Sequence, residues 1–190
     1  MSKTTVKRAA AVAGPIIVVV ISALFGFSFL LSTLLGLPFS LGLPVAVRAV
    51  GGVIVLAGLS VMGWVFSYRR PENVIVSTYL TLAKLFRRVP VAEKAGRTEP
   101  LVVGGPQKYV RSPLYFGVVV MVFGWAVLTG YTFVFVATVV LLLWFGLFLT
   151  PFEERELQAL FGEEWRRYSE QTPMLIPFTK RQKKRAAVAS

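Results

Sequence analysis

Three long stretches of this chain carry no charge, and they restrict its fold more than any other feature. Residues 9–47, 49–68 and 112–152 contain no Lys, Arg or Glu, giving runs of 39, 20 and 41 residues. A helix crosses a bilayer core of about 30 Å with about 20 apolar residues. In hydrocarbon every backbone amide must be satisfied within the segment, which leaves helices as the economical solution for runs like these. The Gly/Pro cluster at residues 36–44 breaks the first run, and Thr129-Gly130-Tyr131 breaks the third. The pattern predicts one all-α membrane domain, a polytopic integral membrane helical bundle. Four spans are expected, over 9–35, 45–66, 114–128 and 132–149, the third of them short.

Composition narrows the chemistry. Only 16% of residues are charged, against about 25% in soluble domains. The chain has no Cys, no His and no Asp, so all nine acids are Glu. Thiol nucleophiles, histidine bases, haem ligation and zinc sites are thereby excluded. No metal site is expected.

Charge placement gives the orientation. Of 21 Lys and Arg residues, 20 fall in three segments: the N-terminal tail, the loop between spans two and three, and the C-terminal segment. Only Arg48 lies near the other side. An even number of spans puts the three basic segments on one face, and the positive-inside rule makes that face cytoplasmic. The expected location is therefore the cell membrane, multi-pass, with both termini in the cytoplasm. Lys3, Lys7 and Arg8 ahead of an apolar run also have the form of a signal peptide. That run is too long for one, and no small-residue cleavage site ends it.

Two further helices are expected at the membrane surface. Over 73–89, Ile75, Tyr79, Leu82 and Phe86 share one helical stripe opposite Lys84, Arg87 and Arg88, as in a basic interfacial helix. Over 151–169, Leu157, Leu160, Phe161, Trp165 and Tyr168 share a face. Thr150-Pro151-Phe152-Glu153 has the form of a capping box opening that helix, with Pro at its first position. The tail 179–190 begins with a basic run suited to anionic lipid, and lipid rather than nucleic acid is its expected partner.

Polar functional groups gather at two places. Residues 101–115 hold Gly104, Gly105, Lys108, Tyr109, Arg111, Ser112 and Tyr115, and the end of the fourth span holds Glu153 and Glu154. The hairpin of spans three and four returns both to one membrane face. Arg111 offers a site for an anion and the glutamates one for a cation, a set that suits a zwitterionic ligand. The plain alternatives are that Arg111 is a positive-inside anchor and that Glu153 caps a helix.

These residues also carry a resemblance. Leu101-Val102-Val103-x-Gly105-Pro106-x-Lys108-Tyr109-Val110-Arg111-Ser112-Pro113-Leu114-Tyr115-x-Gly117 resembles the signature LVxxGPYRYVRHPxYxG of a membrane methyltransferase family. That family includes isoprenylcysteine carboxyl methyltransferases and phospholipid N-methyltransferases. Glu153-Glu154-x-x-Leu157-x-x-x-Phe161-Gly162-Glu163-Glu164-Trp165-x-x-Tyr168 resembles its second block, and Pro173-Met174-Leu175-Ile176-Pro177 its closing PRxxP. The likeness covers residues 90–178.

The resemblance implies a membrane enzyme using S-adenosylmethionine as cofactor, with a lipid or small lipophilic substrate arriving from the bilayer. It implies that Arg111 pairs with the cofactor's carboxylate and that Glu153 and Glu154 take its ribose or amino group. Backbone around Leu101, Val103 and Gly105 would hold the adenine, with Tyr109, Ser112, Pro113 and Tyr115 lining the pocket. Glu154 is also placed to take the acceptor's proton. Trp165, Tyr168 and Met174 fall on the substrate side. Ser112 stands where the family usually has His, Gln107 where it has Tyr, and Met174 where it has Arg. Without that Arg a carboxylate acceptor is less suited than an amine-bearing lipid. A fold without turnover and a related membrane reductase are the alternatives, and the oligomeric state is left open.

Overall fold

The computed structural model describes residues 3–68 and 101–177, with side chains from Pro15 onward. The surface helix expected over 73–89 and the basic tail at 179–190 lie outside the described residues. The architecture is an all-α membrane bundle. Helix α1 (Lys3–Leu34) and α2 (Val45–Tyr68) are followed by a short 3-10 turn (Gly105–Lys108) and then α3 (Pro113–Thr129). Next come α4 (Thr132–Trp144), a π turn (Phe145–Leu149), α5 (Thr150–Phe161) and α6 (Glu163–Gln171).

Among the described residues, three helical runs are long and apolar enough to cross a bilayer: Pro15–Leu34, Val45–Tyr68 and Thr132–Phe161. The fourth, α3, has 17 residues, about 26 Å at 1.5 Å per residue. It is short, but it is held against α2 by backbone contact. Gly51 and Gly58 of α2 face Gly124 and Gly117 of α3. A Cβ at Gly58 would sit 2.6 Å from the Met121 nitrogen, and one at Gly124 would sit 2.5 Å from the Val55 nitrogen. Seven-residue spacing on both helices keeps the glycines on one stripe. Small residues of this kind let membrane helices gain close dispersion contact where no hydrophobic force draws them together.

Helix α1 packs differently. It meets α4 through aromatic edges, with Phe25 and Phe29 set against Phe133 at centroid distances of 6.4 and 5.9 Å. The loops between α1 and α2 and between α3 and α4 meet at one end of the bundle, here the turn face. Leu41 N–H donates to the Gly130 carbonyl at 2.9 Å, and Thr132 N–H to that of Phe39 at 3.2 Å. Arg48 lies at this face, where its Nε donates to the Leu128 carbonyl at 2.8 Å. The one cation set apart from the other twenty thus satisfies a carbonyl in the last turn of α3, where the helix has no partner of its own.

Two expectations are corrected. The fourth span does not end in a capping box at Thr150. Leu149 and Thr150 are both right-handed helical, no side chain caps them, and helix runs unbroken from Thr132 to Phe161. The reason is local. Pro151 has no N–H to donate, and its ring crowds the preceding turn. The chain widens into a π turn just before it, with Thr150 N–H reaching the Phe145 carbonyl. A proline after a π turn and a proline opening a helix look alike in sequence. The second correction is that the expected helix 151–169 is two helices. Gly162 divides them at φ 53°, ψ −119°, a conformation open to glycine and strained for other residues.

Candidate functional site

At the opposite end of the bundle, here the loop face, four parts of the chain converge. The first is the segment from Gly105 to Tyr115. Its turn is seated on α2: Gly105 has φ 59°, and a Cβ there would lie 2.7 Å from the Tyr68 ring. Two residues beyond the glycine, the Gln107 carbonyl accepts a hydrogen bond from the Tyr168 hydroxyl of α6 at 2.7 Å. Next, Arg111 N–H donates to the Pro173 carbonyl at 2.9 Å and Ser112 N–H to that of Met174 at 3.1 Å. This two-rung bridge fixes the start of α3 against residues 172–175. With its backbone held at both ends, the segment can aim the Arg111 side chain.

The Arg111 guanidinium reaches the Glu154 carboxylate of α5 at 2.9 Å, and the two side chains are 8% and 24% exposed. The same guanidinium lies 5.8 Å from the centre of the buried Trp165 ring, within range for a cation–π contact. Burial pulls the Arg111 proton affinity below its ordinary value, while Glu154 and then Tyr168 oppose that shift. An arginine stays charged throughout the working range, so the result is a fixed cation in a mostly dry place. Its Nε is buried and has no hydrogen-bond partner among the described residues. Burial also pushes the Tyr168 phenol above its ordinary 10.0, with Arg111 pulling it down and Glu154 adding to the rise. Tyr168 is therefore a protonated donor to Gln107 at neutral pH.

Beside this pair, Glu153 accepts a hydrogen bond from the Tyr115 hydroxyl at 2.7 Å. Tyr115 is buried in the first turn of α3, its ring stacked on Phe145 at 4.6 Å. Phe145, Leu149 and Leu175 form the apolar cluster around it. The expected cap role for Glu153 is thus replaced by a bond between helices.

The sequence-predicted residues divide into groups. Arg111, Tyr115, Glu153 and Glu154 come together through direct contacts. Ser112 and Met174 meet through their backbones, and Pro113 is buried at the start of α3. Trp165 and Tyr168, expected on the substrate side, lie under Arg111 and against the 105–108 turn. Leu101 is half-buried and Val103 exposed. Tyr109 is exposed and faces Trp64 of α2 at 5.9 Å. Sequence reasoning missed Trp64 and Tyr68, which bring α2 to the site. The aromatic pair at the end of an apolar run was the available signal.

A family described as phospholipid methyltransferase matches residues 76–164. That range takes in the 105–112 segment, α3, α4 and both Glu153 and Glu154, and it ends one residue before Trp165. Methanethiol S-methyltransferase 1 of Bradyrhizobium diazoefficiens is 38% identical over 71 residues, which is 37% of this chain and 24% of the relative. Methanethiol S-methyltransferase of Crocosphaera subtropica is 33% identical over 132 residues, 67% of this chain and 48% of the relative. The chain therefore spans less than half the length of either relative. No solved structure matches it at a significant level.

Proposed function

We propose that this chain is a membrane methyltransferase that methylates a small apolar acceptor with S-adenosylmethionine as donor, a reading supported by its likeness to the phospholipid methyltransferase family and to two methanethiol S-methyltransferases. The observation that carries the reading is the enclosed Arg111–Glu154 pair. A charged pair of this kind gains little stability in itself, since desolvation offsets the attraction. It suits a ligand that is itself a zwitterion. The amino-acid end of S-adenosylmethionine brings a carboxylate for Arg111, whose Nε has no hydrogen-bond partner among the described residues, and an ammonium for Glu154. One internal ion pair is exchanged for two with the ligand, and no buried charge is left alone. The donor set thus fits the cofactor.

In this reading backbone groups of Leu101, Val103 and Gly105 would take the adenine end, and Ser112 and Pro113 lie at the start of α3 beside Arg111. Trp165 keeps water from one side of the guanidinium. Bound S-adenosylmethionine supplies a methyl already activated on a sulfonium, so the protein's contribution is mainly position and exclusion of water. This is why a chain without His or Cys suffices. The loop face is proposed to be cytoplasmic, from the distribution of Lys and Arg.

The acceptor is proposed to be a thiol, following the names of the two relatives. Met174 supports an uncharged acceptor more generally. Its side chain has no donor, and its carbonyl serves Ser112, so Met174 itself offers a carboxylate none of the paired geometry an Arg provides. An amine-bearing phospholipid is the second reading, favoured by the family description. The test is methyl transfer from labelled S-adenosylmethionine to methanethiol, an aminophospholipid and a prenylcysteine. We expect turnover in the order given, lost in Arg111→Ala. Robust prenylcysteine turnover, or full activity of Arg111→Ala, would overturn the reading.

A further inference from the structure

The 105–108 turn encloses a side chain of a type that usually stays in water. Lys108 and Tyr109 are exposed, as residues of a polar turn commonly are. Gln107 is only 6% exposed, although glutamine is mostly a surface residue. Its Oε1 is buried and has no hydrogen-bond partner among the described residues. The backbone around it is engaged. The Pro106 carbonyl accepts from the N–H groups of Tyr109 and Val110 at 3.1 and 3.3 Å, and the Gln107 carbonyl accepts from Tyr168 at 2.7 Å. Pro106 is fully buried, and Gly105 sits against the Tyr68 ring. The turn is thus fixed against α2 and α6, while the amide oxygen at its centre has no donor.

A buried acceptor without a donor weakens the folded chain, because the water it gave up is not replaced. Native proteins leave few such atoms, and each one calls for a cause. The fold gains nothing from this oxygen, since leucine fills a similar volume without it. A ligand that brings a donor would gain from it. Gln107 also stands where the family signature has Tyr. An amide presents an acceptor and two donors in one plane. Adenine offers the complement, a 6-amino N–H beside a ring nitrogen, and glutamine can pair with that edge through two bonds.

We propose, on the cofactor reading above, that Gln107 recognises the adenine of S-adenosylmethionine, its Oε1 accepting a hydrogen bond from the 6-amino group. The ligand's carboxylate is already assigned to Arg111 and its ammonium to Glu154. Its adenine is assigned only backbone groups, those of Leu101, Val103 and Gly105, and Gln107 adds the side chain that reads the base. Gln107 lies two residues beyond Gly105 and four before Arg111. The Gly105 seat on Tyr68 and the bond from Arg111 N–H to the Pro173 carbonyl hold this segment at both ends. One held segment thus grips the two ends of one ligand. An apolar acceptor has no group for an amide to bind, so Gln107 serves the methyl donor alone.

The experiment uses the full chain in detergent, as wild type and as Gln107→Leu. Calorimetry measures binding of S-adenosylhomocysteine, of its purine analogue lacking the 6-amino group, and of its 2′-deoxy analogue. Thermal unfolding is followed without ligand. Wild type should bind the purine analogue about 10-fold more weakly than S-adenosylhomocysteine, the scale of one well-made hydrogen bond. Gln107→Leu should bind S-adenosylhomocysteine about 10-fold more weakly than wild type does. In that variant the two ligands should bind within about twofold of each other, because the partner of the amino group is gone. Its unfolding temperature should equal or exceed that of wild type, since an unmatched buried oxygen has been removed. A 6-amino preference that survives in Gln107→Leu would overturn the proposal. So would a variant that loses only the 2′-hydroxyl preference, which would put Gln107 at the ribose. A clear fall in unfolding temperature would overturn it as well, by making the amide part of the fold. A wild type that binds S-adenosylhomocysteine without regard to the 6-amino group sinks this inference alone, whereas one that binds no S-adenosylhomocysteine sinks the cofactor reading itself.

Discussion

The pairing of α2 with α3 and the pairing of α1 with α4 solve the same problem by opposite means. Between α2 and α3 the backbones touch, and a Cβ at Gly51, Gly58 or Gly124 would come within 3 Å of backbone atoms across the seam. Between α1 and α4 the contact runs through phenylalanine edges. The first seam is closed by backbone against backbone and the second by side chains. What each pair carries matches that difference. The end of α2 seats the Gly105 turn through Tyr68 and faces Tyr109 through Trp64, and the start of α3 carries Arg111, Ser112 and Tyr115 next to it. The proposed site is built on the pair whose backbones touch, while α1 packs through side chains.

The largest effect expected from this contrast is at the seam. Gly58→Leu should separate α2 from α3 and lower stability by about 3 kcal/mol, the upper range for overpacking. S-Adenosylhomocysteine binding should be lost with it, since the Gly105 turn loses its seat. A sharper form uses two adjacent residues. Gly51→Ala should destabilise by about 1–3 kcal/mol. Gly52→Ala, where a Cβ meets nothing within 4 Å, should be neutral or stabilising by up to about 1 kcal/mol. Thermal unfolding in detergent measures both, and equal effects at the two positions would break the comparison. On the other pair, Phe133→Ala should cost about 1 kcal/mol for its aromatic contacts and leave S-adenosylhomocysteine affinity unchanged.

The smallest effect concerns Tyr168. Tyr168→Phe removes one hydrogen bond to the Gln107 carbonyl, worth about 1 kcal/mol. Burial raises the folded-state value of this phenol above its ordinary 10.0. Its contribution is therefore complete below about pH 10, where the unfolded phenol ionises, and is lost as pH rises toward the folded value. Unfolding followed between pH 9 and 11 should show a falling limb in wild type that is reduced in Tyr168→Phe.

Much of this bundle was legible in the sequence, because spans are written in uncharged lengths and orientation in basic residues. The helices begin and end within a few residues of the Gly/Pro signals at 36–44 and 130. The glycines at 51, 58, 117 and 124 were visible too, but a seven-residue spacing names a stripe and not the partner it faces. The charge pattern puts Arg48 near the other face but does not name its acceptor, the Leu128 carbonyl, which lies 80 residues away. The misreading of Thr150-Pro151 has a physical source: both arrangements leave the proline nitrogen without a partner, and only the preceding turn tells them apart. At the site, residue types were legible and pairings were not. Nothing local distinguishes Glu153 from Glu154, yet one meets Tyr115 and the other Arg111.

The central claim is that the Arg111–Glu154 pair receives the amino-acid end of S-adenosylmethionine. Calorimetric titration of S-adenosylhomocysteine into wild type, Arg111→Ala and Glu154→Ala tests it most directly, with thermal unfolding run on each protein to confirm the fold. The account predicts binding to wild type and a loss of about 10- to 100-fold in each variant, corresponding to about 1.5–3 kcal/mol for a charged hydrogen bond. Folded variants that bind as tightly as wild type would contradict it.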